Sequence, residues 1–136
     1  KKAVEEIHIF NGAINEILDT AIMAFEHNDI EQAKSVEPLE EVIDVMRTEI
    51  RNRHVRRLRK GKCTIEMGFV LTDLITNYER VADHCSNIAV CMIQIHDNSF
   101  DTHGYINDLK ATNNEEFQKK FAIYSEKYML PETKKD

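Results

Sequence analysis

Residues 67–95, MGFVLTDLITNYERVADHCSNIAVCMIQI, decide the fold. Met67, Leu71, Leu74, Tyr78, Val81, Cys85, Ile88, Met92 and Ile95 alternate at steps of four and three without a break. That spacing keeps apolar side chains on one face of an α-helix. Sustained over about four heptads, it predicts a seam against a neighbouring helix. Ile65, Phe69, Val70, Ile75 and Ala89 widen the stripe, so two neighbours are expected. Thr64 stands where an N-cap belongs.

Two more long helices are predicted upstream. The first runs from about Ala3 to Phe25, with Val4, Ile7, Asn11, Ile14, Leu18, Ala21 and Phe25 as its seam. Asn11 there needs a hydrogen-bond partner. Asp29 with Gln32 forms a capping pair for a short turn. The second long helix starts near Ser35, because Pro38 is tolerated only in a first turn; alternatively Pro38 kinks one helix that began at Asp29. Its seam is Val36, Leu39, Ile43, Met46 and Ile50, and Gly61 is a good stop. Downstream, residues 97–111 read as loop. Thr112 with Glu115 forms a second capping pair, and Phe117, Phe121, Tyr124 and Tyr128 share one face of a last helix. The expected fold is all-α, an antiparallel bundle of three long helices plus a shorter C-terminal helix. Residues 1–97 form the three-helix unit, and 98–136 the loop and aromatic helix packed on it.

The 136 residues suit one domain. Only four Gly and two Pro leave little room for turns. No apolar run approaches a membrane span. The sequence starts at Lys1 without Met, which suggests a fragment of a longer protein. Cys63, Cys85 and Cys91 include no Cys-x-x-Cys, which argues against zinc-ribbon and thioredoxin chemistry. Cys85 lies on the apolar stripe and reads as a small buried hydrophobe. A net charge of -6 argues against nucleic-acid binding. The charge is uneven: residues 51–62 hold Arg51, Arg53, Arg56, Arg57, Arg59, Lys60 and Lys62 and no acid. Such a run either complements a helix C-terminus or contacts an acidic partner, phosphate or an anionic membrane surface.

Glu40 with Asp44, and Glu79 with Asp83, are acidic pairs at i, i+4 spacing on two different helices. Each pair sets two carboxylates on one face, where they repel unless a cation sits between them. Carboxylate oxygens ligate hard and borderline divalent metals. The plain alternative is a solvated helix face, in a chain with 24 Asp and Glu. His84 and His54 are weaker ligand candidates. A lone Glu5-Glu6-Ile7-His8 falls short of the two Glu-x-x-His units a di-iron bundle requires. There is no phosphate loop, Ser-His-Asp set or His-Glu-x-x-His, and no enzyme is expected.

The stretch Asp73 to Ala89, with Glu79-Arg80-Val81-Ala82-Asp83-His84 and Asn87-Ile88-Ala89, closely resembles the signature helix of the PhoU domain family. It is most similar to the branch that forms the cytoplasmic tail of bacterial sodium/phosphate cotransporter-like proteins. Tyr78 stands where the family usually has an aliphatic residue. The resemblance spans about residues 3–97. It implies a regulatory domain linked to phosphate transport, on the cytoplasmic face of the bacterial plasma membrane. It also implies metal ligation by Glu40, Asp44, Glu79 and Asp83, with iron, zinc or magnesium all compatible with carboxylates. Implied partners are the transporter's membrane domain or another phosphate-regulatory protein, with homo-oligomers allowed. The alternative is a metal-free helical interaction or oligomerisation module.

Overall fold

A computed structural model describes residues 2–98 and 114–133. Among the described residues five helices follow one another: α1 Lys2–His27, α2 Ile30–Ala33, α3 Val36–Arg59, α4 Ile65–Asp97 and α5 Glu115–Lys127. No strand occurs among the described residues. The architecture is the expected all-α bundle, with α3 antiparallel to α1 and α4.

Local chemistry sets the boundaries. Asp29 caps α2 by accepting the Gln32 backbone N–H, and α3 starts separately after Ser35, with Pro38 in its first turn. Asn28, at φ 51°, ends α1 in the left-handed region, as Asn98 does for α4 at φ 53°. Gly61, at φ 63°, reverses the chain between α3 and α4. The Thr64 hydroxyl accepts from Met67 N at 3.3 Å and opens α4. Thr112, of the expected Thr112–Glu115 capping pair, and residues 99–111 of the expected loop fall outside the described residues, while Glu115 opens α5. The cap of α5 is Asn114, whose side chain accepts from Glu116 N and Phe117 N.

The seam of α3 is as expected: Val36, Leu39, Ile43, Met46 and Ile50 are all buried. Those of α1 and α4 are rotated from their expected positions. On α1 the core is Phe10, Ala13, Ile14, Ile17, Ala21 and Ala24, while Val4, Leu18 and Phe25 are exposed. On α4 it is Ile75, Ala82, Cys85, Ala89 and Ile93, while Met67, Ile88 and Ile95 are exposed. The offset is about one residue, or roughly 100° around the helix. The cause is the number of neighbours. Each helix meets the other two, so its buried face points between them, and the expected seam is only one edge of that face. Alanines on the buried faces let the backbones approach closely.

Asn11 finds its partner, accepting from the Tyr78 hydroxyl at 2.8 Å, and Phe10 packs on the Tyr78 ring. Helix α5 lies along α3 and turns Phe121, Tyr124 and Tyr128 to the core. Tyr128 donates to Glu16 of α1. Its hydroxyl is driven above its ordinary titration range by burial and by that carboxylate.

The rotated core separates two substitutions. Phe10→Ala is expected to cost about 3–5 kcal/mol in urea unfolding. Ile88→Asp, on a side chain that is 43% exposed, is expected to cost less than about 1 kcal/mol. A large loss from Ile88→Asp would return that position to the core.

Candidate functional site: the acidic flanks and the basic end of helix α3

Helices α3 and α4 set their acidic pairs on facing flanks, and a cation already lies between two of the carboxylates. Arg47, one turn after Asp44, donates through Nη2 to Asp44 and through Nη1 to Glu79 Oε1 at 2.6 Å across the helix pair. Burial pulls the Arg47 guanidinium toward its neutral form. The bonds and charges of Asp44 and Glu79 outweigh that, so its pKa lies above the ordinary arginine value. Glu40 is half-buried and Asp83 is exposed on the next turn after Glu79. Among the described residues, no group of three or more His, Cys, Asp or Glu side chains is arranged to hold a metal ion. Arg47 joins the two acidic pairs through Asp44 and Glu79. The guanidinium occupies the bridging place and uses an oxygen from each helix.

The basic stretch divides into an inward and an outward set. Arg53 is buried and is no surface contact. It donates to Glu6 Oε1 at 3.3 Å, Glu49 Oε1 at 2.7 Å and the Pro131 carbonyl at 2.5 Å. Arg57 is half-buried, its Nη1 donating to Glu6 Oε2 at 2.8 Å. Its Nε and Nη2 are buried without a hydrogen-bond partner. Arg51, Arg56, Arg59 and Lys60 are exposed; Arg56 also reaches Glu49 at 3.0 Å. The bond from Arg53 is the main reason that the Glu49 carboxyl titrates below its ordinary value. Partial burial opposes this, and the charges of Arg53 and Arg56 reinforce it. Of the two histidines, His84 is exposed. His54 is buried, with Nδ1 3.7 Å from Cys63 Sγ and Nε2 against Gly68, where an added Cβ would lie 2.8 Å away.

Sequence reasoning missed Glu6 and Arg47. Glu6 is 1% exposed, yet its partners lie 47 and 51 positions away and leave no local trace. Arg47 was findable, because it follows Asp44 by three residues, the spacing of a helical ion pair.

The PhoU domain family matches residues 10–92, more than half of the chain. The chain belongs to the PhoU family. It is similar to the "Phosphate-specific transport system accessory protein PhoU homolog 1" of Thermotoga maritima, with 29% identity over 92 residues. That alignment covers 68% of this chain and 40% of the relative. The chain therefore spans less than half the length of the curated relative it matches. No solved structure matches it. The PhoU match contains the whole Asp44–Arg47–Glu79 bridge. Glu6 and the Pro131 carbonyl, two of the three partners of Arg53, lie outside it.

Two measurements follow. Glu6→Ala removes the buried carboxylate that Arg57 and Arg53 share, Arg53 keeping Glu49 and the Pro131 carbonyl, and is expected to cost about 3–5 kcal/mol, whereas Glu79→Ala, at a half-open site, is expected to cost under about 1 kcal/mol. The folded-state pKa of Glu49 is lowered, so its contribution to stability is present above the ordinary glutamate value of 4.5 and is lost as pH falls through the lowered value. Unfolding titrations of wild type and Glu49→Gln are expected to run parallel above about pH 5 and converge in acid. Curves that stay parallel below pH 4.5 would remove Glu49 from the cluster.

Proposed function

We propose that this PhoU domain is a non-enzymatic regulatory module of phosphate transport. It acts on the cytoplasmic face of a bacterial plasma membrane, as part of a sodium/phosphate cotransporter-like protein. Its contact is with the transporter's membrane domain or with another phosphate-regulatory protein. Family membership supports the link to phosphate. The observation that carries the contact is the exposed basic end of α3. Arg51, Arg56, Arg59 and Lys60 stand outward there in a chain of net charge -6. Such a concentration attracts an acidic surface or anionic headgroups and orients the approaching domain. Arg53 and Arg57 serve the fold instead.

A second part of the proposal is metal uptake at Glu40, Asp44, Glu79 and Asp83, with iron, zinc or magnesium as candidates. What favours it is the pairing of two acidic flanks across α3 and α4 around a cation. What it requires is departure of Arg47 from Asp44 and Glu79. Without that exchange the module works metal-free, by helical contact alone, and homo-oligomers are compatible with it.

The experiment is phosphate uptake in a bacterial host deleted for the corresponding gene. The wild-type gene is expected to restore dependence of uptake on external phosphate. A folded Arg51→Glu/Arg59→Glu variant is expected to lose it. Equal regulation with and without the gene would defeat the proposal. Elemental analysis of wild type and Arg47→Ala, purified without added metal, separates its two parts. Metal in the variant alone would show that Arg47 and the ion compete. Metal in neither would leave the metal-free module.

A further inference from the structure

Cys63 and His54 form a thiol–imidazole pair at the turn between α3 and α4. The Cys63 Sγ lies 3.7 Å from His54 Nδ1. His54 is 8% exposed, and its Nε2 is buried without a hydrogen-bond partner. Among the described residues, the thiol is therefore the hydrogen-bonding neighbour toward which this buried ring is aimed. The chain is shaped to hold the pair. Gly68, in the first turns of α4, leaves the space that the imidazole fills; a Cβ there would lie 2.8 Å from Nε2. Gly61, in the left-handed region at φ 63°, turns the chain so that Cys63 returns beside the last turns of α3. Cys63 is half-exposed, so a small reagent reaches its sulfur, whereas Cys85 is buried.

A thiol becomes an effective nucleophile when an adjacent base takes its proton. Charge around the thiol selects the reagent. Arg59, Lys60 and Lys62 are exposed within four residues of Cys63, and in the sequence the nearest carboxylate is Glu66. Such a flank draws anionic molecules. We propose that Cys63 is a modification site that exchanges with anionic small-molecule disulfides, with His54 as the proton acceptor. In the tautomer that carries its proton on Nε2, Nδ1 accepts the thiol proton. The Cys63 sulfur attacks one sulfur of a disulfide R–S–S–R. A Cys63–S–S–R bond forms as the old S–S bond breaks, and the departing sulfur leaves with the electron pair. Cys63 is oxidised, that sulfur is reduced, and the proton passes from Nδ1 to it to give R–SH. The Nε2 proton meets no acceptor. A lasting imidazolium is therefore unsupported, and His54 returns to its neutral form after each exchange. The site does not depend on what the basic end of α3 contacts.

The test treats the whole chain with oxidised glutathione, an anionic disulfide, or with cystamine, a cationic one. Peptide mass spectrometry follows the mixed disulfide at each cysteine over time. Cys91 is the internal reference, because it is more exposed than Cys63. With oxidised glutathione, Cys63 is expected to react about tenfold or more faster than Cys91, since a positioned base contributes at least that much. Cystamine is expected to narrow the ratio. His54→Gln is expected to bring the Cys63 rate down toward that of Cys91, with circular dichroism confirming that the variant is folded. Cys91 keeping pace with Cys63 in the wild-type chain would overturn the proposal without any variant. An unchanged ratio in folded His54→Gln, or the same ratio with both disulfides, would overturn it as well.

Discussion

One buried carboxylate, Glu6, ties the bundle together. It lies near the start of α1 and holds Arg53 and Arg57, successive turns of α3, through its two oxygens. A buried carboxylate is tolerable only when it is paired and hydrogen-bonded. Sliding α1 by one turn would take Glu6 from both guanidiniums and leave a buried carboxylate without its pair, while Arg53 kept only Glu49 and the Pro131 carbonyl. The cluster thus fixes the axial register of α1 on α3, which apolar contacts among alanines and isoleucines specify weakly. Arg53 extends the constraint by donating to the Pro131 carbonyl, which anchors the segment after α5 to the same point.

The sequence revealed the helices and their ends. Pro38, Gly61, Thr64 and Asp29 act through bonds within a few residues, and each stands where its chemistry requires. The register of the long helices was less legible. Three-and-four spacing marks the apolar edge of α1 and α4 but not the direction of the second neighbour. Short alanines on the buried faces carry little weight in such a pattern. The acidic pairs were legible as pairs. Their occupant was not, because Arg47 must be brought to Glu79 by the packing of α3 on α4. Glu6 was hidden for the same reason: long-range charge pairing has no periodicity.

The same physics divides the arginines. Along one turn after another of α3, Arg47, Arg53 and Arg57 face neighbouring helices and meet carboxylates, while Arg51, Arg56 and Arg59 face outward. Side chains about 100° apart on one helix therefore have unlike roles in a run that reads as uniform. Counting the whole run as a docking surface overstates it, since the inward arginines are spent on Glu6, Glu49 and the acidic flanks. What remains is a smaller but oriented positive end on an acidic body.

Arg47 also sets the terms on which the acidic flanks respond to other cations. A guanidinium held by two carboxylates on different helices acts as a tether between α3 and α4 that depends on no outside ion. An entering divalent ion must supply more stabilisation than the two bonds it breaks, and it must do so at a surface where water screens its charge. Arg47 is itself tethered on α3, so its effective concentration at the site is high and needs no ordering of a free ligand. Regulation by metal would then require an ion bound tightly enough to displace a resident cation. Regulation by contact at the basic end requires no such exchange.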